Sequence, residues 1–274
     1  MDHFKDKVIM VTGAASGIGK ALSEDLAGRG AKLILADINL SGAKSLEATL
    51  IKKGLSAKAL LVDVSKEKDV KKAVKYAVSK YGRLDFMFNN SGIGFAGEFE
   101  DMNSTIWKKM IDVNLYGVIH GTTLAYHQMI KQGSGHIVNV ASATGLIPSP
   151  MLTAYATTKH AIVGLSTSLR EEAKEYGIHV SVACPGFVDT GILDPTKAEN
   201  IDEKKLAREK KKLKMMSPEK CAREIILGVE KNREIIIFPL RERMLWWLYR
   251  LNPYAIDPIE KIILKRARKL RKQK

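Results

Sequence analysis

Cysteine is nearly absent from this chain, with two residues in 274, Cys184 and Cys221, and neither has a partner at redox or metal-ligand spacing. A disulfide framework is therefore not expected, and a reducing, cytoplasmic setting is. Histidine is also sparse: six residues form no HxxxH or HxH pair, so no metal site is expected. Long apolar runs are missing. No stretch approaches the 18 or so residues that would span a bilayer, and the opening "MDHFKDKVIMVTG" has acids where a signal peptide would be apolar. There is no internal repeat and no low-complexity linker. With 45% hydrophobic and 27% charged residues, the length suits one large domain with a full core.

Charge is abundant but lopsided. The formal net charge is +15, and residues 261–274, "KIILKRARKLRKQK", supply eight Lys or Arg with no acid. A second basic run, 203–214, mixes in two glutamates. An excess gathered in a tail and one helix is not a groove lined with aromatics, so nucleic acid is not an expected partner.

Apolar runs of strand length alternate with segments of helical period. "KVIMVTG", "AKLILAD", "AKALLVDV", "LDFMFNNSG", "HIVNVAS", "IHVSVACPG" and "REIIIFP" read as strands. Helices are expected at 17–29, 41–53, 67–81, 104–131 and from Leu152 onward. Such uniformly apolar strands belong to a sheet covered on both faces. The expected fold is α/β, a Rossmann-type doubly wound structure with a seven-stranded, mostly parallel sheet. One domain covers 1–240, and 241–274 is an appended segment.

The first strand runs into "TGAASGIG", with Gly13, Gly17 and Gly19 around Ser16 and Ile18. Glycines there let backbone approach a pyrophosphate, and the helix that follows offers its N-terminal N–H groups. A tight ligand-free loop is the plainer alternative. Asp37 ends the second strand, where a carboxylate can accept from ribose hydroxyls and repel a 2′-phosphate. Ile38 and Asn39 offer no compensating cation, so NAD is preferred over NADP. Asp63 and Val64 could reach an adenine edge, and a turn or capping role for Asp63 competes with that.

"YATTKHA" puts Tyr155 four residues before Lys159, on one helical face. A nearby cation favours the phenolate and would lower its pKa. Chance spacing is the alternative.

Taken in order, TGxxxGxG, "NNSG" at 89–92, Ser142, "YATTK" and "PGFVDT" at 185–190 resemble the short-chain dehydrogenase/reductase family over about 5–240. Ser91 departs from the Ala usual in that family. The resemblance implies a catalytic tetrad of Asn114, Ser142, Tyr155 and Lys159, with Tyr155 as acid/base. Lys159 would lower the pKa of Tyr155 and hold the nicotinamide ribose. Ser142 would hydrogen-bond the substrate oxygen, and Asn114 would anchor a water. It also implies cofactor contacts from the glycine turn (Ser16 and Ile18 included), Asn90, Pro185, Gly186, Val188 and Thr190. A homodimer or homotetramer is the expected assembly.

Ile93, Phe95, Leu146, Ile147, Met151, Leu152, Phe187, Ile192 and Leu193 are expected near the nicotinamide, with no arginine to clamp an anion. They suit a hydrophobic alcohol, ketone or aldehyde, or else they simply pack the core. From Arg241 on, aromatics precede basic residues, which fits either a peripheral anionic membrane surface or a subunit contact. A non-catalytic nucleotide-binding or scaffold protein is the competing function, and the intact Tyr155–Lys159 pair with Ser142 argues against it.

Overall fold

The computed structural model describes residues 2–191, 202, 204, 205, 207, 208 and 215–271. Strands β1 (Val8–Thr12), β2 (Lys32–Asp37) and β3 (Ser56–Leu61) alternate with helices α1 (Gly17–Gly28), α2 (Leu40–Lys52) and α3 (Glu67–Tyr81). β4 (Phe86–Asn89) leads through α4 (Ser104–Met110), a π-helical stretch (Ile111–Tyr116) and α5 (Gly117–Gln132) to β5 (Gly135–Val140). α6 (Thr153–Ala173), β6 (Ile178–Pro185), α7 (Pro218–Glu230), β7 (Ile235–Phe238), α8 (Leu240–Leu251) and α9 (Asp257–Arg268) follow.

The strand order is β3-β2-β1-β4-β5-β6-β7 and every pair is parallel, so the sheet is wholly rather than mostly parallel. Parallel neighbours need a crossover, and the helices provide it. Side chains on β1 alternate between two cores. Ile9 and Val11 pack with Leu22, Leu26 and Ile225 on one face, whereas Val8 and Met10 pack with Val70, Val74 and Met129 on the other. Burial on both faces is why the central strands read as unbroken apolar runs. The order reverses between β1 and β4, the crevice where α/β sheets open to ligands.

The helical region expected over 104–131 is present and passes through a π-helical stretch at Ile111–Tyr116, where the wider turn carries the buried Asn114 inward. The segment from Arg241 lies against the rest of the chain. Trp246 packs against the core cluster that includes Ile162, Val182 and Cys184, and Ile256 is buried. Arg268 and Arg271 form ion pairs with Glu98, Glu100 and Asp101.

Candidate active site

The glycine turn is shaped by what a side chain would strike. Gly13 and Gly17 have left-handed backbones (φ +67° and +51°), which glycine adopts without strain. A Cβ on Gly19 would run into the Gly13 carbonyl oxygen. Ser16 is the N-cap of α1, yet no side chain caps the helix and no acid sits in its first turn. That leaves positive dipole and backbone donors for an outside anion. Ile18 packs on the core beneath. The residues therefore form a cradle that a Cβ would fill, which fits a pyrophosphate.

Three neighbours fix this turn. The Asn90 side-chain amide donates to the Thr12 carbonyl at 3.0 Å. The backbone N–H groups of Asn90 and Ser91 donate to the Thr12 hydroxyl at 2.9 and 3.0 Å, tying β4 to β1. The Thr190 methyl lies 3.1 Å from where a Gly17 Cβ would stand, and Val188 bridges to Met216. Asp37 is buried, and its two oxygens accept from the Ala15 and Asn39 N–H groups at 2.8 and 2.7 Å. Each oxygen retains a lone pair. Asp63 has the turn role that competed in the sequence. Burial pushes its carboxyl up, but bonds from Ser65 and Lys66 more than offset this and lower it. The Val64 carbonyl lies 2.9 Å from Nδ1 of His120, and its side chain presses on Gly117.

The four proposed catalytic residues come from three places. Asn114 lies in the π-helical stretch, Ser142 follows β5, and Tyr155 and Lys159 stand on α6. The Lys159 ammonium donates to the Val140 carbonyl at 2.9 Å and lies 5.4 Å from the centroid of the Tyr155 ring. Burial lowers the Lys159 pKa to about 8, weakly opposed by neighbouring Cys184. A Cβ on Gly145 would strike the Lys159 main chain, so the turn after Ser142 rests directly on α6. The Ser142 hydroxyl accepts from the Thr144 N–H at 3.2 Å.

Tyr155 keeps a small exposed edge but is closely surrounded, and burial pushes its phenol up to about 12, with the Ser142 hydroxyl opposing. The lowered phenol that sequence spacing implies is thus not a property of the folded chain alone. Burial is the larger cause, and the hydrogen bond to Ser142 only partly opposes it. Asn114 braces the β4 loop, accepting from the Ile93 N–H at 2.8 Å and donating to its carbonyl at 3.0 Å. A Cβ on Gly92 would lie 3.4 Å from the Asn114 oxygen and 3.7 Å from the Lys159 ammonium. Only a bare backbone separates the two.

Ile93 and Phe95 pack beside Tyr155 in a cluster with Met102, Trp107, Met110 and Ala154. The α4 members escape notice in the sequence, where i, i+3 spacing of Trp107 and Met110 signals only an amphipathic helix. Leu146 instead belongs to the core around Ile162 and Cys184. Met151 is buried with a left-handed backbone (φ +69°), and its carbonyl accepts from the Gly97 N–H at 2.9 Å, joining two loops. Ile147 and Leu152 are partly buried, and Phe187 is exposed. Ile192 and Leu193 fall outside the described residues. After Pro185, the Gly186 N–H donates to the Phe238 carbonyl at 2.9 Å. A Cβ there would stand 2.9 Å from the buried Glu242 carboxylate, which Arg241 pairs. Glu242 carries no motif to announce it.

Residues 7–201 match the family described as short chain dehydrogenase. The chain is 37% identical over 209 residues to the NAD(+)-specified 15-hydroxyprostaglandin dehydrogenase of Mus musculus, covering 73% of this chain and 75% of that one. It is 32% identical over 263 residues to the probable oxidoreductase EphD of Mycobacterium bovis, 93% of this chain but only 44% of EphD. The chain therefore spans less than half the length of that relative. A short-chain dehydrogenase/reductase from Burkholderia phymatum in complex with NAD superposes with TM-score 0.85 at 29% identity, covering 93% of this chain and 96% of that one.

Proposed function

We propose, from the premise that this chain belongs to the short-chain dehydrogenase/reductase family, that it interconverts a hydrophobic secondary alcohol and its ketone, or an aldehyde, using NAD in preference to NADP. The observation that carries the reading is the meeting of Tyr155, Lys159 and Ser142 beside an apolar cluster. When bound, the nicotinamide supplies or accepts the hydride. The chain's own residues manage the remaining proton. In oxidation the Tyr155 oxygen takes the proton from the alcohol, and in reduction it returns a proton to the carbonyl oxygen. The Ser142 hydroxyl donates to the oxygen on which charge develops.

Lys159 is kept from solvent and held by Val140, and burial lowers its pKa to about 8. Its role is to steady the phenolate and hold the ribose. Asn114 acts as a positioning residue for the Gly92–Ile93 backbone beside Lys159. Asp37 gives the NAD preference, since a further phosphate would meet a buried carboxylate with no cation at Ile38 or Asn39. Large apolar side chains left exposed at Tyr116 and Leu227 suit a homodimer or homotetramer, which light scattering would test.

The deciding experiment follows NADH absorbance over a panel of hydrophobic alcohols, ketones and aldehydes, together with titration of NADH and NADPH. Turnover of at least one hydrophobic pair with tighter NADH binding is expected. Tight NADH binding without turnover of any member would favour the non-catalytic alternative.

A further inference from the structure

A helix that packs on a protein body normally turns one apolar stripe inward. α8 has two. Its inner side carries the buried Glu242 and the partly buried Leu245, Trp246 and Tyr249. Its outer side carries Leu240, Met244, Trp247, Leu248 and Leu251 at spacings of three and four, all exposed, with Leu251 at 81% and Met244 at 63%. Arg243 and Arg250 line one border of this stripe and Arg241 the other, by helical position. The pattern continues on α9, where Ile259, Ile262 and Ile263 are exposed among Lys261, Lys265 and Arg266.

We infer that the outward face of α8, continued by α9, docks on an anionic lipid surface. Large exposed apolar groups need a covering, and here charge decides which. Residues 240–271 hold nine Lys or Arg against three acids. Arg241, Arg268 and Arg271 are neutralised within the chain, but Arg243, Arg250, Lys261, Lys265, Arg266 and Lys269 make no ion pair with a described residue. A second copy meeting this face symmetrically would oppose the same cations to themselves. An anionic headgroup layer complements them, while the apolar stripe enters the boundary beneath. Trp247, half exposed and with the Arg250 guanidinium 5.8 Å from its ring, pairs an aromatic with a cation as interfacial residues do.

α9 also touches the loops that precede and follow the candidate site residues in sequence. α9 and Pro150 border a cleft of about 290 Å³ through Asp257, Glu260, Lys261 and Leu264. The α9 end is clamped to Glu98 and its neighbours, in the loop that packs against Tyr155. A sparingly soluble substrate would thus meet the enzyme where it gathers.

The test is co-sedimentation of the full chain with vesicles of equimolar phosphatidylglycerol and phosphatidylcholine, and with phosphatidylcholine alone. Binding to the anionic vesicles is expected, reduced but not abolished by high salt, because screening reaches charges and not buried apolar groups. Trp247→Glu with Leu248→Glu should weaken it by about tenfold or more, since each introduces a charge at the boundary. Far-UV circular dichroism and NADH affinity should be unchanged, which separates lost docking from lost folding or cofactor binding. No binding of the wild type, or equal binding of the double variant, would overturn the inference. A double variant that elutes as a smaller assembly, with no vesicle effect, would assign the face to a second copy instead.

Discussion

The cofactor half and the substrate half of this molecule are held together by different physics. Around β1, β2 and β4 the geometry is fixed by backbone: left-handed glycines, a Cβ-free contact at Gly19, and Asp37 and Asn90 bonding main-chain groups. Around Tyr155 the surroundings are side chains drawn from distant segments, Phe95, Met102 and Trp107 among them, and the loop that supplies Phe95 is itself tied to α9 through Glu98. Backbone geometry admits few substitutes, so changes there should act sharply. Side-chain walls should yield by degrees, except at the reacting oxygen itself.

The largest effect tests that exception. Tyr155→Phe removes the proton carrier and keeps the ring, so kcat should fall by about 10²–10⁴. NADH affinity, read by fluorescence titration, should barely move. A near-normal kcat would remove Tyr155 from its role.

Gly19→Ala probes the backbone half. Overpacking of this kind costs about 1–3 kcal/mol. If it falls on the cradle, NADH affinity drops by about 5–150-fold. Unchanged affinity would mean that the turn is not a phosphate cradle.

Between the halves, His136 on β5 is buried against Ser181 on β6. Burial first, then the positive environment of His179, Arg170 and His3, lowers its pKa to about 3. The unfolded chain takes up a proton near pH 6.5 that the native state refuses. This stability is therefore intact above about 6.5 and lost as pH falls towards 3, amounting to about 2 kcal/mol by pH 5. Urea midpoints against pH for wild type and His136→Gln measure it. The variant should lose less stability on acidification, whatever its midpoint at neutral pH.

Asp37→Ala with Ile38→Arg should narrow the NADH-over-NADPH preference by about tenfold, or 1.4 kcal/mol. A wild type that already favours NADPH would refute the reading of Asp37. The smallest effect belongs to the clamp. Arg271→Ala should raise KM for bulky substrates a few-fold, with kcat nearly unchanged and a modest loss of Tm, because Arg271 and its partners Glu98 and Asp101 are largely shielded from solvent. A fall in kcat without a change in KM would mean that the loop positions the chemistry and not the entrance.

These two halves were unequally legible in the residues. Seven strands, the glycine turn, Asp37 and the Tyr155–Lys159 spacing could be read because each is a local pattern. Period, turn chemistry and i,i+4 placement are set by neighbours in sequence. The α4 contribution to the apolar cluster, the buried Glu242 against Gly186 and the Arg271–Glu98 pairs join residues far apart in the chain, and no spacing marks them.

The sequence by itself determined an α/β sheet with a glycine-rich first turn and a phenol–ammonium pair on one helix. Tertiary structure decided the rest. It turned Leu146 into core, bonded Asp63 into its own turn, and drew two arginines of the basic end back onto an acidic loop. It also enclosed the phenol, and that burial raises its pKa to about 12 in the chain alone. Desolvation depends on everything packed around a group, and that sum exists only once the chain has folded.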